Sequence, residues 1–133
     1  MAFVLDASIA MTWAFPDGED TAAMAALQRL DAETAIVSTV WWFEVRNVLV
    51  VNERRQRISE ADTASFLHLL GTLDIGIDRS PDEAALLGLC RRHQLTIYDA
   101  SYLELALRRA MPLATLDRKL AEAARREGAS LIV

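Results

Sequence analysis

Five short apolar runs recur along the chain, and most of them end at a polar residue. Runs of three or four residues that are rich in Val, Ile and Leu are typical of buried β-strands. The runs predict strands over residues 3–5, 35–38, 75–78, 113–115 and 131–133.

Seven segments between these runs carry apolar residues at helical spacing, three or four positions apart. They predict helices over residues 8–15, 19–32, 40–56, 59–73, 81–93, 100–110 and 118–127. Strands that alternate with helices indicate a parallel sheet covered by helices. We therefore expect residues 1–133 to form a single domain, a three-layer α/β/α sandwich with a central parallel sheet of about five short strands.

Three local patterns mark helix ends. Ser59 followed by Asp62 predicts a capping box at one helix start. Ser80 before Pro81 predicts an N-cap followed by a first-turn proline, and Gly128 predicts the end of the last helix.

The composition narrows the classes of protein to consider. The chain is 53% hydrophobic with a mean hydropathy of +0.17, so we expect apolar surface to remain for a partner protein. No apolar run approaches the roughly 18 residues that cross a bilayer, which predicts a cytoplasmic protein without membrane insertion.

The lone cysteine, Cys90, excludes an internal disulfide, and one cysteine with two histidines provides too few ligands for a thiolate or imidazole metal cage. The net charge of −5 argues against nucleic-acid binding by bulk positive charge, but not against a nuclease.

Polar side chains follow the first and the fourth predicted strands. Asp6 and Ser8 come after the first, and Thr115 and Asp117 end or follow the fourth. Ligands of open parallel sheets bind beyond the carboxyl ends of the strands, so these residues are candidates for a functional site. The alternative is that each acid only caps the helix that follows it.

Two further acids lie on predicted helices. Glu44 sits in a helix that is apolar on nearly every side, so we expect the helix to be largely buried and Glu44 to need a cation or a donor. Asn47, one turn on, is placed to orient Glu44 or a bound water. Asp99 precedes a good helical run. The alternatives are a solvent-facing Glu44 and an Asp99 that caps its helix.

Four carboxylates in one pocket repel each other unless a cation neutralises them. Mg²⁺ or Mn²⁺ suits such an all-oxygen site because both prefer carboxylate and water ligands. A metal bound there would serve phosphodiester hydrolysis by activating a water and stabilising charge on the phosphoryl oxygens.

Four segments carry a family resemblance: Val-Leu-Asp-Ala-Ser at 4–8, Glu-Val-Arg-Asn-Val-Leu at 44–49, Tyr-Asp-Ala-Ser-Tyr at 98–102 and Thr-Leu-Asp at 115–117. In this order and in a chain this short, they resemble a PIN-domain ribonuclease, specifically the VapC-type toxin of a toxin–antitoxin pair. The resemblance covers essentially the whole chain.

The resemblance implies a Mg²⁺- or Mn²⁺-dependent endoribonuclease with Asp6, Glu44, Asp99 and Asp117 as its catalytic and metal-binding acids. Asp6 and Asp99 correspond to the firmest metal ligands, and Ser8 and Thr115 to supporting hydroxyls. Glu44 and Asp117 either bind metal, directly or through water, or position and deprotonate the attacking water. The resemblance also implies a homodimer, an RNA substrate and a small VapB-like antitoxin as the protein partner.

Other classes fit less well. A receiver domain needs adjacent acids after its first strand, whereas Ala7 and Ser8 follow Asp6 here, and the scattered glycines form no phosphate-binding loop. The remaining alternative is a catalytically weak PIN-fold module that binds RNA or a partner protein.

Overall fold

A four-stranded parallel sheet lies at the centre of the computed structural model, which describes residues 1–15 and 20–132. Its strands are β1 (Ala2–Leu5), β2 (Thr34–Ser38), β3 (Ile75–Asp78) and β4 (Leu113–Ala114). They are ordered β3-β2-β1-β4, and Val4 of β1 pairs with Ile36 on one side and Leu113 on the other. The predicted parallel sheet is confirmed.

The fifth predicted strand is reduced to one bridge, between Leu131 and Leu113. The amide of Leu113 donates to Ser130 O at 2.9 Å, and Ile132 N donates to Leu113 O at 2.9 Å. Because β4 is only two residues long, it offers little edge for a longer strand to pair with. The last residue of the predicted strand, Val133, lies outside the described residues.

Seven helices surround the sheet in the described part of the chain. They are α1 (Ala7–Ala14), α2 (Thr21–Arg29), α3 (Thr39–Arg54), α4 (Glu60–Gly71), α5 (Glu83–His93), α6 (Ile97–Arg108) and α7 (Arg118–Arg126). Helix α1 contacts α2 and α3, whereas α6 contacts α5, α7 and three of the strands. The predicted α/β/α architecture is confirmed. The predicted start of α2 at Glu19 lies outside the described residues.

The helix ends follow the sequence patterns with two exceptions. Ser59 and Asp62 form the predicted capping box, and Gly128 has the positive φ of 81° expected after a helix end. The predicted start at Ser80 is wrong: α5 is capped by Asp82, whose side chain accepts from Ala85 N at 2.9 Å. The amide of Asp82 also donates to buried Glu104 at 3.2 Å, which fixes the chain there. Helix α6 begins three residues earlier than predicted, because Thr96 caps it.

Helix α3 has two apolar faces, of which the fold covers one. Trp41 and Val45 are buried, whereas Trp42 and Phe43 are 43% and 65% exposed. The expectation that this helix is largely buried is therefore wrong, because no helix or strand of residues 1–15 and 20–132 covers its outer face. Arg46 lies on that face, with its guanidinium 3.9 Å from the ring centroid of Trp42.

The sheet has one topological switch point, between β1 and β4. From β1 the chain moves outward through β2 and β3, and then crosses back to place β4 on the other side of β1. In open parallel sheets, ligands bind in the crevice beyond the carboxyl ends of the strands at such a point. Asp6 follows β1 and Thr115 follows β4, so both lie at this crevice.

No helix in the described ranges combines the length and apolar character needed to cross a membrane.

Glu127, just after α7, connects the end of α7 to the end of α5 through hydrogen bonds between side chains. Its carboxylate accepts from Arg92 Nε at 3.1 Å and lies 2.6 Å from His93 Nε2. The hydrogen bond with His93, and then that with Arg92, hold the pKa of Glu127 below its usual range. His93 therefore has a tertiary contact.

We predict that Glu127→Gln lowers the free energy of unfolding at neutral pH and that the loss shrinks in acid. A carboxyl whose pKa is depressed by folding stabilises the folded state above its unfolded pKa of about 4.3. That stabilisation disappears as the pH falls through the lower folded pKa. Urea unfolding between pH 7 and pH 3 measures the difference. Glu122→Gln, which removes an exposed ion pair with Arg126, is the control and should change little. If Glu127→Gln lowered the free energy of unfolding by the same amount at every pH, the prediction would be contradicted.

Candidate active site

Asp6 is a buried carboxylate at the switch point. It is 5% exposed, and its Oδ2 accepts from Ser8 Oγ at 2.8 Å and from Thr115 Oγ1 at 2.5 Å. Asp6 is the N-cap residue of α1, yet its side chain makes no capping bond. A side-chain cap therefore does not explain Asp6, and its Oδ1 accepts no hydrogen bond from the side chain of any described residue.

The two hydroxyls that bind Asp6 are themselves oriented by backbone amides. Leu116 N donates to Ser8 Oγ at 2.9 Å, and Asp117 N donates to Thr115 Oγ1 at 3.0 Å. Each hydroxyl has one proton, so each accepts from an amide and donates to the carboxylate. We call Ser8 and Thr115 the hydroxyl clamp, because together they fix Oδ2 and leave Oδ1 outside the clamp.

Asp117 does cap its helix, as the alternative interpretation stated. Its Oδ1 accepts from Lys119 N at 2.9 Å and from Leu120 N at 3.1 Å at the start of α7. The amide of Asp117 belongs to the hydroxyl clamp, so the cap and the clamp share one turn of chain. Capping uses one carboxylate oxygen and leaves the other for a ligand.

Glu44 reaches the same crevice from α3, where it is half-buried. The hydroxyl of Tyr102, a fully buried residue of α6, donates to Glu44 Oε1. Among the described residues, Oε2 has no hydrogen-bond donor. The position of Glu44 thus depends on the packing of α3 and α6 at the same edge of the sheet.

Asp99 stands in the first turn of α6, three residues after the Thr96 cap. Its amide donates to Thr96 Oγ1 at 3.1 Å, so Thr96 and not Asp99 caps the helix. Asp99 and Tyr102 are three positions apart on α6 and therefore lie on one side of the helix.

Electrostatics links the four acids, which we call the acidic centre. Burial raises the pKa of Asp6, Glu44 and Asp99, and the neighbouring acids raise each further. The negative charge of Asp99 raises the pKa of Asp6, and the charges of Asp6 and Asp99 raise the pKa of Glu44. The charge of Asp117 in turn raises the pKa of Asp99. Lys119 acts in the opposite direction on Asp99. The centre therefore carries negative charge that the surrounding side chains compensate only in part.

The donor set fits a hard divalent cation, although it is more open than a complete protein cage. No three His, Cys, Asp or Glu side chains among the described residues are grouped closely enough to hold a metal by themselves. Mg²⁺ does not need such a cage, because it keeps several waters and is held by one or two carboxylates. The free Oδ1 of Asp6 and the half-buried carboxylates of Asp99 and Glu44 are ligands of this kind.

Two residues near Glu44 differ from the sequence expectations. Asn47 is exposed, and its side chain makes no hydrogen bond to Glu44 or to any other residue within the described ranges. Tyr102, which does bind Glu44, received no role in the sequence analysis. The sequence does indicate that Tyr102 needs a hydrogen-bond partner, because a tyrosine on a buried helical face must pair its hydroxyl. It does not indicate that this partner is Glu44.

The fold and the site define an α/β protein with an acidic centre at its topological switch point. A family model described as the PIN domain matches residues 3–126. The chain therefore belongs to the PIN domain family. A comparison with curated proteins finds no match.

Three solved structures share this fold. PAE2754 from Pyrobaculum aerophilum is 22% identical with a TM-score of 0.74, over 99% of this chain and 92% of that one. The VapC20 toxin of Mycobacterium tuberculosis, described as cleaving the sarcin–ricin loop, is 10% identical with a TM-score of 0.62, over 91% and 94% of the two chains. A toxin–antitoxin complex from Klebsiella pneumoniae is 18% identical with a TM-score of 0.55, over 84% and 82%. At these identities the likeness establishes the fold alone.

We predict that Thr115→Val lowers the free energy of unfolding by about 1–3 kcal/mol, since it removes a donor to a buried carboxylate. Thr115→Ser is the matched control, because it keeps the hydroxyl and loses only a methyl group. Urea unfolding at neutral pH compares the two variants. Equal losses for both would show that the hydroxyl of Thr115 does not stabilise Asp6.

Proposed function

We propose that this protein is a metal-dependent endoribonuclease that hydrolyses RNA phosphodiester bonds and acts as the toxin of a toxin–antitoxin pair. The observation that best supports this is the fixed, buried Asp6 with one free oxygen at the switch point, with three further acids in electrostatic contact. Family membership supports nuclease chemistry, and the four acids are those that the sequence resemblance assigns to the catalytic centre.

We propose Mg²⁺ or Mn²⁺ as the cofactor, bound by Asp6 and Asp99 with Glu44 and Asp117 nearby. When bound, the metal supplies a nucleophilic water and stabilises charge on the phosphoryl oxygens. The hydroxyl clamp of Ser8 and Thr115 holds Asp6 in one orientation throughout. Asn47 is exposed beside the crevice, where we propose that it contacts ordered water.

Glu44 is suited to take the proton from the attacking water. Tyr102 fixes its Oε1, so that Oε2 is presented to the crevice with its direction set. A base held in one orientation loses little entropy when it meets the water. Asp117 contributes its second oxygen while its first keeps the start of α7 in place.

The exposed face of α3 supports the proposal of a protein partner. Trp42, Phe43 and Val50 lie on this helix with much of their side chains exposed. Apolar surface of this kind is typical of binding sites for other proteins. A toxin–antitoxin complex among the similar structures supports a VapB-like antitoxin as one partner. We also propose a homodimer and a cytoplasmic location.

We predict metal-dependent cleavage of RNA that Asp99→Asn abolishes. The substitution keeps the shape of the side chain and removes a ligand charge, so cleavage should fall about 100-fold or more. Purified protein is incubated with total cellular RNA in Mg²⁺, in Mn²⁺ and in chelator, and the fragment ends are mapped.

Asp31→Asn is the matched control, because Asp31 is an exposed acid away from the crevice and its variant should cleave normally. Cleavage that survives chelator or Asp99→Asn would point to a contaminant or to another site. Folded, antitoxin-free protein that cleaves nothing under any condition would favour the RNA- or partner-binding module instead.

We predict that Tyr102→Phe lowers kcat roughly 10- to 100-fold, because a small displacement of a reacting group is costly. KM for RNA should change little, since Tyr102 is buried and does not reach the substrate. Steady-state kinetics on a defined RNA separates the two constants. A rise in KM with unchanged kcat would assign Tyr102 to binding instead of to the orientation of Glu44.

A further inference from the structure

A cavity of about 250 Å³ opens beside the acidic centre, beyond the carboxyl ends of β2 and β3. Its walls are mainly apolar and come from the start of α3, from α5 and from α6. The apolar residues are Val40, Pro81, Leu86, Ile97 and Leu105. Tyr98, 59% exposed, also lines the cavity, and Asp99 follows it directly in the chain. The cavity thus lies at the same edge of the sheet as the acidic centre, and none of the four acids lines it.

The cavity also has a pair of hydroxyls, from Ser38 and Ser101, with 2.8 Å between the two Oγ atoms. Ser101 Oγ donates its proton to Tyr98 O at 2.6 Å. Ser38 must therefore donate to Ser101, and Ser38 Oγ is left with lone pairs only. The pair offers acceptors to a ligand and no donor.

The charged side chains of the cavity wall are already paired with one another. Glu104, only 3% exposed, accepts from Arg108 Nε at 2.7 Å, and Arg108 also donates to Asp78 at 2.8 Å. Because the guanidinium of Arg108 is already hydrogen-bonded to two carboxylates, it is poorly placed to bind a phosphate as well. An apolar, acceptor-rich space without a free cation favours an uncharged, flat group that carries N–H donors.

We propose that this cavity binds a nucleobase of the RNA next to the cleaved phosphodiester bond, a base that carries an exocyclic amino group. This inference rests on the proposed ribonuclease function. The ring of Tyr98 gives the base a stacking surface, and the lone pairs of Ser38 Oγ give its amino group an acceptor. A volume just below the roughly 300–1,000 Å³ of pockets for drug-sized ligands suits one base better than a whole nucleotide.

The same contacts argue against an apolar side chain of a partner protein as the occupant. Such a side chain would cover the lone pairs of Ser38 without a donor, and an unpaired buried acceptor is costly. The exposed face of α3, in contrast, presents the large apolar side chains of Trp42, Phe43 and Val50. The cavity and that face therefore suit different ligands.

The first test measures base preference at the cleavage site. RNA with a randomised stretch is cut by wild type, Tyr98→Ala, Tyr98→Phe and Ile97→Trp, and the ends are sequenced. Wild type should disfavour uracil at one position beside the cut, and Tyr98→Phe should keep that preference. Tyr98→Ala should lose it together with roughly 5- to 150-fold in kcat/KM, the range expected for one lost stacking contact. Ile97→Trp, which narrows the cavity, should lose it as well.

Leu69→Ala, an exposed apolar residue of α4, is the control and should leave base preference unchanged. Unaltered preference in both Tyr98→Ala and Ile97→Trp would overturn the base-binding inference while leaving the nuclease intact. Weakened self-association or antitoxin binding in these variants, with base preference kept, would also overturn it and make the cavity part of a protein interface.

A second measurement does not need cleavage. Adenosine, cytidine, guanosine and uridine are titrated into metal-free protein, and amide chemical shifts are followed by NMR. The first three should shift the resonances of Ile97 and Ser101 more than uridine does, and Tyr98→Ala should reduce the shifts at least fivefold. Such shifts from a protein that cuts no RNA would uphold the base site and reject the nuclease. No nucleoside-dependent shift at these residues would overturn the inference.

Discussion

The contact between Asp6 and the hydroxyl clamp decides the arrangement of the site. A buried carboxylate without donors would lose its charge or destabilise the fold by several kcal/mol. Here Ser8, in the first turn of α1, and Thr115, just after β4, provide the donors. They follow two strands, β1 and β4, that are neighbours in the sheet but far apart in the chain. The clamp therefore joins the ends of β1 and β4 at the switch point and leaves one carboxylate oxygen of Asp6 outside it.

The rest of the crevice is built around that oxygen by two helices. Helix α6 packs against β1, β2 and β4, and it carries both Asp99 and Tyr102. Helix α3 enters from β2 and carries Glu44, which Tyr102 holds. The acids thus come from four separate elements, and their mutual repulsion persists because the surrounding core keeps each one in place. This is a stored electrostatic cost that a bound cation would relieve.

The sequence predicts much of this arrangement, and the features that it does not predict have physical causes. Short apolar runs ending in polar residues predicted the strands, and the carboxyl-end rule placed Asp6 and Thr115 at one edge. The partner of Glu44 was not predictable, because Tyr102 lies 58 residues away and meets it only through the packing of two helices. The start of α5 was misplaced because Ser80 and Asp82 both make good caps, and the buried Glu104 decides in favour of Asp82. Periodicity also cannot tell whether an apolar face is covered by the chain itself or left for a partner, as α3 shows.

The outer face of α3 places an unusual constraint on how this protein can vary. Trp42 and Phe43 contribute little to the core, so polar replacements there should be tolerated in any screen for folding and should even improve solubility. If Trp42 and Phe43 are retained during evolution, the selection must come from binding to a partner in the cell, because folding of the isolated chain does not require them. Glu44 follows Phe43 directly, so one helical turn would be subject to two separate selective pressures, one from the partner and one from the reaction.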